Sequence, residues 1–155
     1  MALVQNGYDA IVVGAGPAGA TAARALAEGG ARTLMLDRAR FPRSKPCGGA
    51  ITARVVSRFP YLTSALTGIS THWISALHLE ARDRSSIDLR SVASAVIMVR
   101  RLEFDALQVS LARQRGVDLL EGADVCNVSE ERTAGSPSRL ETRGAGDRSH
   151  GGDPT

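Results

Sequence analysis

Tyr8-Asp9-Ala10-Ile11-Val12-Val13, Gly14-Ala15-Gly16-Pro17-Ala18-Gly19 and Thr33-Leu34-Met35-Leu36-Asp37 bracket the stretch whose reading decides the fold. An apolar strand runs into a glycine-rich turn. An alanine-rich helix follows to Gly29-Gly30, and a second apolar strand ends on an acid. Gly14 allows a sharp exit from the strand, Gly16 a close approach of backbone to a pyrophosphate, and Gly19 close packing of helix on strand. Pro17 suits the helix start, where its missing N–H costs little. Asp37 lies 23 residues beyond Gly14, close to the ~20 at which a carboxylate reaches a ribose hydroxyl. The helix N-terminus, with Ala18 and its neighbours, offers free N–H groups and the favourable dipole end to phosphates. The alternative reading, an ordinary strand–helix–strand unit, leaves the three glycines and the acid without a common reason.

Continuous apolar Thr33–Leu36, bounded by glycines and an acid, predicts a strand covered on both faces, hence a parallel sheet and an α/β fold of Rossmann type. The length, 155 residues, suits one domain. Net charge is +3, but the 18 arginines and single lysine are scattered among acids, and only six residues are aromatic. Nucleic acid is therefore not an expected partner, since that needs a gathered basic face. Two cysteines, Cys47 and Cys126, are too few for a disulfide framework, which suits a reducing compartment. The N-terminal residues lack the basic region and long apolar core of a signal peptide, and no segment has the ~18 apolar residues of a membrane span. A cytoplasmic location is expected; peripheral membrane contact stays compatible with it. The oligomeric state is not legible.

After Asp37 come Arg38-Ala39-Arg40-Phe41-Pro42-Arg43-Ser44-Lys45-Pro46-Cys47-Gly48-Gly49. Two prolines and a glycine pair rule out helix or central strand, and a cationic loop at the carboxyl edge of an open α/β sheet lies where ligands bind. A solvated basic loop is the alternative reading. Together, the Gly14–Gly19 turn, the Asp37-Arg38 pair and above all Lys45-Pro46-Cys47-Gly48-Gly49 resemble the geranylgeranyl reductase family of FAD-dependent oxidoreductases, in the para-hydroxybenzoate hydroxylase-like fold group. Flavin halogenases and monooxygenases of that group carry other sequences at this loop. The resemblance implies FAD as cofactor, with Cys47 and Gly48 near the flavin, and Asp37 and Arg38 among the cofactor-binding residues.

Ile51, Val55, Val56 and Phe59 recur at helical spacing and predict a short helix over 50–59, stopped by Pro60. Leu77, Leu79 and Ala81 alternate with His78, Glu80 and Arg82 and predict a half-buried strand. Asp83–Ser86 turns it towards Ile87-Asp88-Leu89, and 92–99 gives another strand. By resemblance, residues of about 60–99 belong partly to a small antiparallel substrate-side sheet. His72 and His78 show no acidic or metal-ligand partner at a telling spacing, and no metal is expected. Arg101-Leu102-Glu103-Phe104-Asp105 opens a helix to about Arg115, with Gly116 as its stop. The family often shows Arg-x-x-Phe-Asp here, which implies that Arg101 contacts the flavin's ribityl or phosphate portion; a plain i,i+4 pair with Asp105 is the alternative. Residues 117–121 and 123–128 read as two strands around Gly122, and the resemblance implies adenine contact by backbone near Val125.

From Thr133 the chain turns to Gly, Ser, Arg and Pro with Leu140 as its one large apolar residue, so 133–155 is expected to be disordered. The resemblance is read from Tyr8 to Val128, an N-terminal portion within residues 1–132 that is incomplete relative to the family. The implied reaction is reduction of isoprenoid carbon–carbon double bonds by hydride from reduced flavin, with NADPH or another reductant as electron donor and a hydrophobic small molecule as substrate. No residue is assigned as catalytic acid or base. The rivals are a non-catalytic dinucleotide-binding fragment and a flavin monooxygenase or halogenase relative.

Overall fold

The structure is a computed structural model that describes residues 7–90, 96–129 and 139–144. In chain order its elements are β1 (Ala10–Val13), α1 (Pro17–Glu28), β2 (Thr33–Asp37), β3 (Ala50–Thr52), α2 (Ala53–Arg58), α3 (Tyr61–Ala65), a 3-10 turn (Leu66–Gly68), β4 (Thr71–Ile74), β5 (Ala76–Glu80), β6 (Ser86–Arg90), β7 (Val96–Val99), α4 (Arg101–Arg113), β8 (Asp118–Glu121), β9 (Ala123–Ser129) and β10 (Arg139–Gly144). The chain divides into two compact units, Met1–Phe41 with Gln108–Thr155, and Pro42–Leu107. The second is wider at both ends than the 60–99 stretch singled out from the sequence.

The first unit is built on a parallel sheet in the order β1-β2-β8. Val12 lies opposite Met35 in the first pair, and Leu36 opposite Leu120 in the second. All five residues of β2 are buried, as its unbroken apolar run requires. Its side chains serve two cores by alternation. Met35 packs with Ala15, Ala20, Ala23, Val109, Ala112 and Val117, while Leu34 and Leu36 pack with Ala123. Alanines dominate the inner side of α1 because a thin helix can lie close to the sheet.

Arg139–Gly144 pairs antiparallel with β9, with a register irregularity between Glu141 and Thr142. This corrects the expectation of a structureless 133–155 for these six residues. The reason is non-local: a ladder partner in β9 supplies the backbone hydrogen bonds, so the strand does not need an apolar run of its own. The rest of that segment lies outside the described residues.

In the second unit β7 is the centre of an antiparallel sheet in the order β3-β7-β4. Ile97 and Val99 are buried, as are Val56, Leu62 and Leu66 from the helical segment. The helix expected over 50–59 begins only at Ala53, because Ala50–Thr52 joins β7 as a strand. Pairing overrides local periodicity here, and Ile51 belongs to the sheet. Strand β7 starts at Val96; the expected 92–95 portion lies outside the described residues. A strand not foreseen, β4, pairs with the other side of β7.

Strands β5 and β6 form a hairpin closed by the turn Ala81–Ser85. It is exposed along its whole length, not half-buried as alternation suggested: Leu79 is 51% and Ile87 54% exposed. Among the described residues, no helix is long and apolar enough to cross a membrane.

Candidate cofactor site

The residues singled out from the sequence fall into two groups, one in each unit. The first group gathers at the carboxyl end of β1 and β2. Gly14 N–H donates to the Leu36 carbonyl at 2.7 Å, which carries the ladder into the turn. Gly14 adopts φ +96°, and a Cβ there would meet nothing within 4 Å, so the demand at this position is conformational. Gly19 is the opposite case. A Cβ on it would run into the Gly14 carbonyl oxygen and lie 3.4 Å from Val12 Cγ1, so its demand is for space.

Gly16 caps α1 in an extended conformation, Pro17 opens the helix, and neither a side-chain cap nor an acidic residue occupies its first turn. First-turn N–H groups have no intrahelical acceptor. The amides of Ala18 and Gly19, at the positive end of the helix dipole, therefore suit an anion.

Asp37 sits where the spacing placed it, and it has structural partners. Its Oδ2 accepts the Ala15 N–H at 2.8 Å and its Oδ1 the Ala39 N–H at 2.9 Å, in a side chain only 7% exposed. The carboxylate thus ties the glycine turn and the following loop to the end of β2. Asp37→Asn is expected to turn one acceptor into an NH2 group facing a backbone N–H. That leaves a buried donor unpaired and costs about 1–3 kcal/mol, read as a lower urea midpoint at unchanged slope.

Arg38 is exposed at the loop start. Val125, in β9, packs its side chain beside the Leu34–Leu36–Ala123 cluster while its residue pairs with Thr142. These features fit a dinucleotide: a turn that only glycines satisfy, an uncapped helix N-terminus free of acids, and a carboxylate held at the end of the next strand.

The second group surrounds the loop Pro42–Gly49. Asp105, 0% exposed, accepts Arg101 Nε at 2.7 Å and Nη2 at 2.9 Å, a two-pronged pair, while Arg43 Nη1 reaches its Oδ2 at 3.1 Å. The i,i+4 pairing that the Arg-x-x-Phe-Asp spacing offered is therefore made, with Phe104 buried beside it in sequence. Asp105 above all holds Arg101 in its charged form, against the effect of burial.

Cys47 and Gly48 are exposed. The Gly49 N–H lies 3.5 Å from Cys47 Sγ, and this amide first, then the Arg101 guanidinium, holds the thiol below the usual thiol range. Gly49 has φ +74°, and a Cβ on it would strike the Val99 carbonyl oxygen.

Arg43 was one loop cation among four in the sequence. Its link to Asp105 joins segments far apart in the chain, and no local pattern signals it. His78 likewise has a partner that spacing hid: its Nδ1 lies 2.7 Å from Asp88 Oδ1, because the hairpin register sets the two residues opposite each other. Among the described residues, no cluster of His, Cys, Asp and Glu could hold a metal ion.

The fold is α/β with a parallel sheet, and the first group has the features that a dinucleotide requires. The model of the FAD dependent oxidoreductase family matches residues 9–148, and the chain belongs to that family. This match to the broader family runs past Val128. Similar relatives include geranylgeranyl reductases. The geranylgeranyl diphosphate reductase of Rhodobacter capsulatus is 38% identical over 119 residues, 74% of this chain and 28% of that one. A menaquinone reductase of Mycobacterium tuberculosis is 48% identical over 59 residues, 38% of this chain and 14% of that one.

The crystal structure of a geranylgeranyl bacteriochlorophyll reductase-like protein from Thermoplasma acidophilum aligns with a TM-score of 0.73 at 25% identity, covering 87% of this chain and 36% of that one. A myxobacterial chondrochloren halogenase, at TM-score 0.68 and 23% identity over 86% of this chain and 35% of its own, shares the fold. The chain spans less than a third of the length of the curated relatives named here.

Proposed function

We propose that this chain is the dinucleotide-holding part of an FAD-dependent oxidoreductase that reduces isoprenoid carbon–carbon double bonds. The observation that carries the reading is the turn at Gly14–Gly19, where one glycine is required by its φ and another by a backbone contact. Nothing in a plain strand–helix connection demands both. FAD, when bound and reduced, supplies hydride to the double bond. This chain's own residues bind and orient.

Gly14, Gly16, Pro17, Ala18 and Gly19 form the pyrophosphate cradle. Asp37 keeps the cradle's shape and accepts a ribose hydroxyl, and Arg38 stands next to it. The backbone at Val125 lies along the adenine. Cys47, Gly48 and Arg101 belong to the flavin side. NADPH or another reductant recharges the flavin. The isoprenoid substrate is supported by the similarity to reductases named for geranylgeranyl compounds. The two free thiols accord with a reducing, cytoplasmic setting.

The test is the visible spectrum of the purified protein before and after addition of FAD, followed by gel filtration. Flavin bands that stay with the protein are the expected result. A colourless protein that does not retain added FAD would overturn the reading. A protein that retains FAD but, supplied with reductant, leaves a geranylgeranyl substrate unreduced would confine the function to cofactor binding.

A further inference from the structure

The loop Pro42–Gly49 is fastened at both ends within its own unit. At one end, Arg43 reaches the buried Asp105 carboxylate at 3.1 Å. At the other, the Val99 N–H donates to the Gly49 carbonyl at 2.9 Å, which continues the Ala50–Met98 register by one more residue. Arg101 lies just beyond β7, at the first residue of α4, and its guanidinium is among the groups beside the Cys47 thiol. Arg101 is in turn fixed by two hydrogen bonds to Asp105. One buried carboxylate therefore holds two arginines, one inside the loop and one facing its cysteine.

We propose that Asp105 is a positioning residue: through Arg43 it closes the loop, and through Arg101 it sets the surroundings of the Cys47 thiol. The inference rests on the reading above only in that it deepens the role of the Cys47 loop; its geometry stands without the cofactor. The charged and polar groups that face Cys47 are the Gly49 amide, the Arg101 guanidinium and, opposing them, the Asp105 carboxylate. Two explanations of any influence of Asp105 therefore predict opposite signs. If Asp105 acted only as a nearby negative charge, removing it would make the thiolate easier to form. If it acts by holding Arg101 in place, removing it frees the guanidinium and makes the thiolate harder to form.

The experiment is the pH profile of Cys47 alkylation by iodoacetamide, read by mass spectrometry in a Cys126→Ser background so that one thiol reports. The expected result is a midpoint that moves up in Asp105→Asn and returns most of the way in Asp105→Glu. A midpoint that stays or moves down, in a variant with unaltered circular dichroism, overturns the proposal.

Should Asp105→Asn fail to fold, Arg43→Gln tests the loop-closing half of the proposal. It leaves the Arg101–Asp105 pair intact and releases one end of the loop, so the expected results are an upward midpoint and faster proteolysis between residues 42 and 48. An unchanged profile and unchanged cleavage overturn the proposal. Because no flavin is needed for either readout, failure to bind FAD would reject the proposed function and leave this result standing.

Discussion

Gly19→Ala is expected to lower stability by about 3 kcal/mol or more and to abolish FAD retention, although it adds a single methyl group. Overpacking commonly costs about 1–3 kcal/mol because neighbouring side chains yield by changing rotamer. Here the obstacle is the carbonyl oxygen of Gly14, a backbone atom. That carbonyl belongs to the residue whose N–H is bonded to Leu36 and whose φ of +96° forms the turn. To make room, either α1 must lift away from β1 or the turn must open. The first exposes part of the core around Ala20, Ala23 and Met35; the second destroys the cradle.

Gly14→Ala provides the control. Nothing stands where its Cβ would go, so its cost is the conformational penalty of about 1–2 kcal/mol for a left-handed backbone. Urea midpoints for the two variants, with FAD titration followed by fluorescence, separate the demands. Equal losses in both would mean that close packing is not what Gly19 serves.

The contrast between these glycines shows which part of the fold sequence makes legible. Wherever the reason for a residue is local, the text of the chain carries it. Thr33–Asp37 had to be a strand covered on two faces, because it is apolar without interruption and bounded by glycines and an acid; the structure buries all five residues. Pro17 had to open a helix. Asp37 had to lie at the carboxyl end of its strand.

What spacing could not convey was the second service of Asp37, which accepts two backbone N–H groups before any ligand arrives. A carboxylate at a strand end looks the same in sequence whether it faces a ribose or a main chain. The same holds for Ala50–Thr52, whose helical periodicity is genuine but is overruled by hydrogen bonding to β7. Strand β10 was missed for the mirror-image reason: its own residues scarcely favour a strand, and its partner β9 supplies the ladder. Arg43 and His78 depend on partners that only topology brings near.

The loop between the strands offers the other large effect. Asp105→Ala is expected to destabilise the protein by about 3–5 kcal/mol, the usual result of removing one member of a buried ion group while its partners remain. Asp105 is wholly buried, while Arg101 and Arg43 are only 15% and 13% exposed, so neither guanidinium regains much hydration when the carboxylate is gone. Arg101 loses two short hydrogen bonds at once, and Arg43 loses the contact that ties Pro42–Gly49 to the start of α4.

The penalty comes from the Arg101 charge left without its carboxylate and not from the worth of the ion group itself, and this distinction can be measured. Replacing Arg43, Arg101 and Asp105 together by apolar residues of similar volume is expected to cost far less than Asp105→Ala alone, since no uncompensated charge then remains. Arg43→Gln added to Asp105→Ala should likewise recover part of the loss. Urea unfolding of these variants decides the matter. If removing arginines from the Asp105→Ala protein makes it less stable still, the arginines are held by contacts other than this carboxylate, and Asp105 is not the hub of the loop.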